Sequence, residues 1–148
     1  MNDASQPSAP PPPWRLTWVA GPSFRPSYGV RIDASRPAPG GWIWIVPALD
    51  EPAWGWEEGL HLSAARLFKK AQRAPLPADL RATLTGLILR VRIGLGPQED
   101  LGCDGTTHEL SLRVGSHHLE VGWWNEPEGH LEGLQPLANI LEGLVTLG

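Results

Sequence analysis

The sequence is poor in the residues that carry much of protein chemistry: one cysteine, one methionine, one tyrosine and two phenylalanines in 148 residues. A lone Cys103 excludes an intramolecular disulfide framework and any structural zinc site that needs two or four thiolates from this chain. No apolar run approaches the roughly 18 residues of a membrane span. There is no G-x-S-x-G elbow, and Gly94-Leu95-Gly96-Pro97 lacks the glycine spacing and the lysine of a phosphate loop. The opening MNDASQPSAPPPPW has neither a basic start nor an apolar stretch, so a secretory signal is not expected and a cytoplasmic protein is. A chain of this length buries about 68–70% of its unfolded surface, enough to fold without metal or disulfide.

What is abundant is tryptophan, with eight residues, and the turn formers glycine (17) and proline (16). The net charge of −4 is unevenly spread. Residues 61–95 carry seven bases, from Arg66 to Arg92, against Asp79 alone, for +6. Residues 96–148 carry Arg113 against nine acids, for −8. Such blocks provide either self-complementary packing or a charged surface for a partner. The acidic total argues against general nucleic-acid binding, which needs a basic footprint.

Residues 1–13 are small, polar and proline-rich and are expected to form a disordered or polyproline II tail, with one domain over 14–148. Trp14, Leu16, Trp18 and Ala20 alternate with Arg15, Thr17 and Val19, the period of a half-buried strand. Tyr28–Ala34 reads as a second strand, and Trp42–Val46, apolar on both faces, as a third. Residues 47–60 form a loop bearing Trp54 and Trp56. Residues 63–73 read as a helix capped by Ser63 or, equally, as an extended segment. Pro77 suits the first turn of a helix whose stripe is Leu80, Leu84, Leu87 and Ile88. Strict alternation over residues 87–95 competes with that helix, so an end near Leu89 and a strand over 87–95 are rivals.

Gly115-Ser116 is a two-residue loop of the Gly-X kind, which selects a type II′ hairpin between residues 108–114 and 117–124. That register sets Val114 against His117, Leu112 against Leu119, Leu110 against Val121 and His108 against Trp123 on one largely apolar face. Leu134, Leu137, Ala138, Leu141, Leu144 and Val145 mark a final helix whose regular part begins near Gln135.

Cys103, Asp104, His108, His117, His118 and His130 invite a metal reading, but their spacing matches no zinc pattern. The hairpin sets His108 and His117 near opposite ends, on the order of 20 Å apart at about 3.4 Å per residue. Ordinary strand-end histidines are the better account. A Cys103/His108 thiol dyad, with Asp104 beside it, is the enzyme alternative, although the surrounding acids would raise the thiol pKa and blunt it. Adjacent carboxylates (Asp50 and Glu51, Glu57 and Glu58, Glu99 and Asp100, Glu126 and Glu128) solvate loops more readily than they build an acid–base pair across a cleft. The basic segment 66–92 is a third, minority route, to phosphate backbone.

The start Asp104-Gly105-Thr106-Thr107-His108-Glu109-Leu110, the Trp123-Trp124 pair, the Glu126-Pro127-Glu128 turn and the leucine-rich end together resemble small bacterial α+β proteins of the toxin-immunity type. The resemblance covers roughly the last 45 residues of the sequence and carries no functional residue with it. It implies an antiparallel sheet with packed helices and a protein partner. The expectation is an α+β domain with an antiparallel sheet of four to six strands and two or three helices packed on one face. It would act as a non-enzymatic protein-binding module that occludes a basic active site, for instance of a cognate toxin. Trp54, Trp56, Glu57, Glu58, Glu120, Trp124, Glu126 and Glu128 are the expected partner-binding residues. No catalytic residue, metal or cofactor is expected, nor any membrane contact.

Overall fold

Gly115 opens the hairpin turn at φ +58°, while Ser116 stays out of the left-handed region, as a type II′ turn requires. Every pair expected across it is present, from Val114↔His117 to His108↔Trp123. The chain is known from a computed structural model that describes residues 10–23, 25–49, 63–96 and 105–147. Among these, strands Trp14–Pro22 (β1), Tyr28–Ala34 (β2), Trp42–Val46 (β3), Arg73–Pro75 (β4), Thr106–Val114 (β5) and His117–Trp124 (β6) form one antiparallel sheet, ordered β4-β3-β2-β1-β5-β6. Helices Ala64–Leu67 (α1), Ala78–Arg90 (α2) and Gln135–Leu147 (α3), with a 3₁₀ helix over Gly129–Leu134, complete an α+β fold.

Strand periodicity sorts the side chains onto two faces. On one, register rows run Ile43–Ile32–Leu16–Leu112–Leu119 and Ile45–Val30–Trp18–Leu110–Val121. α2, the 3₁₀ helix and α3 cover this face with Leu84, Ile88, Leu131, Leu134, Leu137 and Leu141. The other face has a smaller cluster in which Leu67 and Phe68, from α1 and its end, meet Val19, Trp44 and Val46.

The two segments left open by the sequence resolve in physical terms. Ser63 does cap a helix, accepting from the Arg66 N–H, but α1 lasts a single turn and the chain turns back to add β4 beside β3. Arg73 stacks its guanidinium on Trp42, 3.9 Å from the ring centroid, which ties that edge down. α2 runs to Arg90, and residues 91–96 form no strand. The alternation holds in part: Val91 and Ile93 pack against the core while Arg92 and Gly94 are exposed, and Leu95 is fully exposed. The extended chain lies against the 3₁₀ helix instead of the sheet: Gly94 N–H donates to the His130 carbonyl at 2.8 Å. Gly133 permits that approach, because a Cβ there would sit 1.8 Å from the Arg92 carbonyl oxygen.

Two contacts dock α2. Trp14 Nε1–H donates to Thr85 Oγ1 at 2.9 Å. The Arg81 guanidinium donates to the carbonyls of Ala34, Arg36 and Gly40, gathering the β2–β3 connection onto the helix. Arg81→Met is expected to cost about 2 kcal/mol, within the range for hydrogen bonds from a charged donor. Because the acceptors are neutral, the loss should be the same in low and high salt, and urea unfolding at two salt concentrations checks it.

Candidate functional site

Of the expected partner-binding residues, Glu120 and Trp124 share one face of β6, and Glu126 and Glu128 follow in the turn after it. Trp54, Trp56, Glu57 and Glu58 lie outside the described residues, as do Cys103 and Asp104 of the enzyme alternative. The face bearing Glu120 is the one α1 covers only in part. Its rows run Arg31–Thr17–Ser111–Glu120 and Gly29–Val19–Glu109–Gly122, with Thr107 beside Trp124. A cleft of about 660 Å³ is lined from this face by Thr17, Val19, Glu109, Ser111, Glu120 and Gly122, and also by Val121, His130 and Leu131.

This surface is acidic. Glu109 and Glu120 on it and Glu126 and Glu128 in the turn after β6 are exposed, as is Glu132 in the 3₁₀ helix. Glu120 meets His118 at 3.4 Å, a pair that is charged only when the imidazole is protonated. Among the described residues the other four carboxylates enter no ion pair. Trp124 is half-buried, its ring lying against Gly105, where φ is +135° and a Cβ would meet the indole at 2.5 Å. Asn125, itself at φ +58°, accepts the Thr106 N–H on Oδ1 at 2.9 Å, which fixes the exit of the hairpin into the Glu126–Glu128 turn.

Ser111, His118 and Glu120 lie together, yet they are no catalytic triad. Ser111 Oγ sits 3.2 Å from His118 Nε2, and Glu120 Oε1 lies 3.4 Å from the same nitrogen. A triad needs the serine on one ring nitrogen and the carboxylate on the other, so that the acid orients the base. Glu109 and Glu120 are diagonal neighbours across β5 and β6, a spacing of about 7–8 Å, and both are solvated alike. Nothing there separates an acid from a base.

His108 corrects the expectation of a strand-end histidine. It is 3% exposed and stacks between two tryptophans, with Trp18 at 5.8 Å and 13° and Trp123 at 5.1 Å and 9°. The row Tyr28–Ala20–His108–Trp123 explains the stack: Ala20 is small, and the larger Trp18 leans over the space beside it. Trp18 Nε1–H donates to His108 Nδ1 at 3.3 Å, and the Asn125 backbone bonds the ring as well. An indole only donates, so Nδ1 is the acceptor and Nε2 carries the proton. Burial holds the imidazole pKa down, to about 4, against the opposing pull of the Asn125 bond. Neutral, sheltered and with its ring nitrogens engaged, His108 has no free atom with which to serve as a base.

Glu142 of α3 brings Oε1 to 3.9 Å from His108 Nδ1, and burial raises its pKa. Tyr28 sets its ring edge-on to Trp18, and its phenol is pushed up to about 12 by burial first and the Glu142 charge second, with Arg25 opposing. The hairpin register alone sets His108 opposite Trp123 on the apolar side. The further signal in the sequence is that a polar residue at that register must find partners inside the core.

Among the described residues no three His, Cys, Asp or Glu side chains are grouped to hold a metal ion, and no helix is long and apolar enough to cross a membrane. No family model matches this chain, and no curated protein matches it at a significant level.

Proposed function

We propose that this chain is a non-enzymatic protein-binding module that covers a basic site on its partner, as an immunity protein covers the active site of a toxin. The observation that carries this reading is the set of exposed carboxylates on and beside the β5–β6 hairpin, Glu109 and Glu120 on its open face and Glu126 and Glu128 in the turn after Trp124, of which Glu120 alone enters an ion pair among the described residues. Carboxylates with no internal cation keep their full field for a partner, steering encounter and fixing register. A half-buried indole beside them supplies the apolar anchor that charge alone lacks. The toxin as partner rests on the resemblance of the hairpin and terminal helix, and a cytoplasmic setting accompanies it.

Four of the seven bases in the basic segment are engaged within the fold, and Arg66, Lys69 and Lys70 are exposed. Arg73 lies on Trp42, Arg81 is clamped to three carbonyls, and Arg90 and Arg92 bond to the Gly86 and Val91 carbonyls.

Affinity capture from native lysate tests the reading. Association is expected to weaken between about 50 and 500 mM salt, and Glu126→Lys with Glu128→Lys should slow it by about tenfold or more at low salt. Wild-type capture by the doubly reversed variant, with no salt dependence, overturns the proposal.

A further inference from the structure

The two edges of the sheet are built differently. β4 is three residues long, ends in Pro75 and is followed closely by Pro77, so it offers a neighbour almost no ladder. β6 runs for eight residues without proline, and among the described residues it pairs with β5 alone. In a hairpin closed by a two-residue turn, the residues flanking the turn exchange both backbone hydrogen bonds, and the pattern alternates from there. Val114↔His117 is that pair, so Leu119, Val121 and Trp123 also bond inward to β5. His118, Glu120 and Gly122 therefore aim their N–H and C=O groups at the outer edge. The Trp124 carbonyl accepts from Glu126 N–H at 2.7 Å, which closes the row at that end. Such a row is a template for one more strand.

The side chains beside the edge define which strand fits. On the open face Glu120, Gly122 and Trp124 follow one another along β6, with Glu109 across from Gly122. On the opposite face Leu119 and Val121 are half-buried at the margin of the core. We propose that the β6 edge takes up an extended segment of the protein partner, with cationic residues at alternate positions and apolar residues between them. The partner's being a basic protein rests on the reading above; strand addition at this edge is the new step.

One cation sits opposite Glu120. The next sits opposite Gly122, where the missing side chain lets a long stem lie between Glu120 and Trp124 with its head towards Glu109 or over the indole. The intervening apolar residues extend the core beside Leu119 and Val121. Charge favours a foreign strand over a second copy, because a copy of β6 brings Glu120 in place of a row of cations.

Backbone amide exchange, followed by NMR on the full chain, tests this. The ligands are a blocked peptide Thr-Val-Lys-Val-Arg-Val-Thr and its counterpart with Glu in place of Lys and Arg. The cationic peptide is expected to slow exchange at the His118, Glu120 and Gly122 amides by about fivefold or more, and the acidic one to leave it unchanged. Glu120→Gln should weaken the effect. His118→Pro should remove most of it, because that proline deletes an outward N–H and no backbone bond to β5, although the ring's contacts with Ser111 and Glu120 go with it. If the peptide shifts Glu126 and Glu128 but leaves the edge amides unprotected, strand addition is overturned and the acidic binding surface stands. If it touches none of these residues, both fall. Edge protection that rises with protein concentration and without peptide assigns the edge to self-pairing and overturns the proposal. The wild-type pattern decides even if the proline variant fails to fold.

Discussion

Trp18→Ala is expected to cost roughly 4–5 kcal/mol, the upper part of the range for emptying a large aromatic from a core. Trp18 is fully buried at the centre of the sheet, in the row Val30–Trp18–Leu110. Its removal takes away three things at once: the packed volume, the stack on His108 and the donor to His108 Nδ1. The last leaves a buried acceptor without its partner, which adds to the cavity cost. Against a total stability of about 5–15 kcal/mol for such a domain, that is roughly a third or more of the whole. The urea midpoint should fall by about 2 M, for a slope near 2 kcal/mol per molar. Trp44→Ala is the control: Trp44 is half-buried in the smaller cluster, and its loss should cost about 1–2 kcal/mol. Equal costs at the two positions would show that the helix-covered face is not the principal core.

How much of this is written locally in the chain differs from element to element. The register of the β5–β6 hairpin was legible, because a two-residue turn leaves a single register and a one-residue slip would expose every leucine on the strand, but the start of β5 at Thr106 and the burial of His108 were not. β2 was legible from alternation and β3 from an unbroken apolar run rich in Ile and Trp, both bounded by turn residues. β4 carries no pattern of its own: Arg73, Ala74 and Pro75 are all exposed, and the strand exists only because Trp42 and Trp44 lie beside it. The alternation over residues 91–94 marks extended chain, but only the three-dimensional path shows that it packs on a 3₁₀ helix and not in the sheet. The candidate surface divides likewise. Exposed acids were visible in the sequence, whereas the place of β6 at the edge of the described sheet depends on the long-range pairing of β1 with β5, which no local signal encodes. The same pairing sets Ala20 beside His108 and makes the aromatic stack.

That stack predicts an acid-sensitive fold. His108 takes up a proton at about pH 6.5 when unfolded and at about pH 4 when folded. Between those values the unfolded chain binds more protons, so stability rises with pH; it is fully present above about 6.5 and is lost as pH falls towards 4. At roughly 1.4 kcal/mol per unit, the loss from this group is about 3 kcal/mol. Glu142 acts in the opposite sense, because burial raises its folded pKa and acidification through its ordinary range relieves that burial. Protonating Nδ1 strips Trp18 of its acceptor and turns an N–H towards Glu142, 3.9 Å away. His108→Phe separates these effects. It keeps an aromatic ring between the two indoles and removes the titration. It leaves the Trp18 N–H and the Asn125 backbone without their partner, for a cost of about 2 kcal/mol at pH 7. Stability measured by urea unfolding from pH 7 down to 4 should then converge, with the difference between wild type and variant shrinking as pH falls. A difference that stays constant across that range would mean that His108 titrates alike in the folded and unfolded chain, and the buried, neutral imidazole at the centre of this core would have to be abandoned.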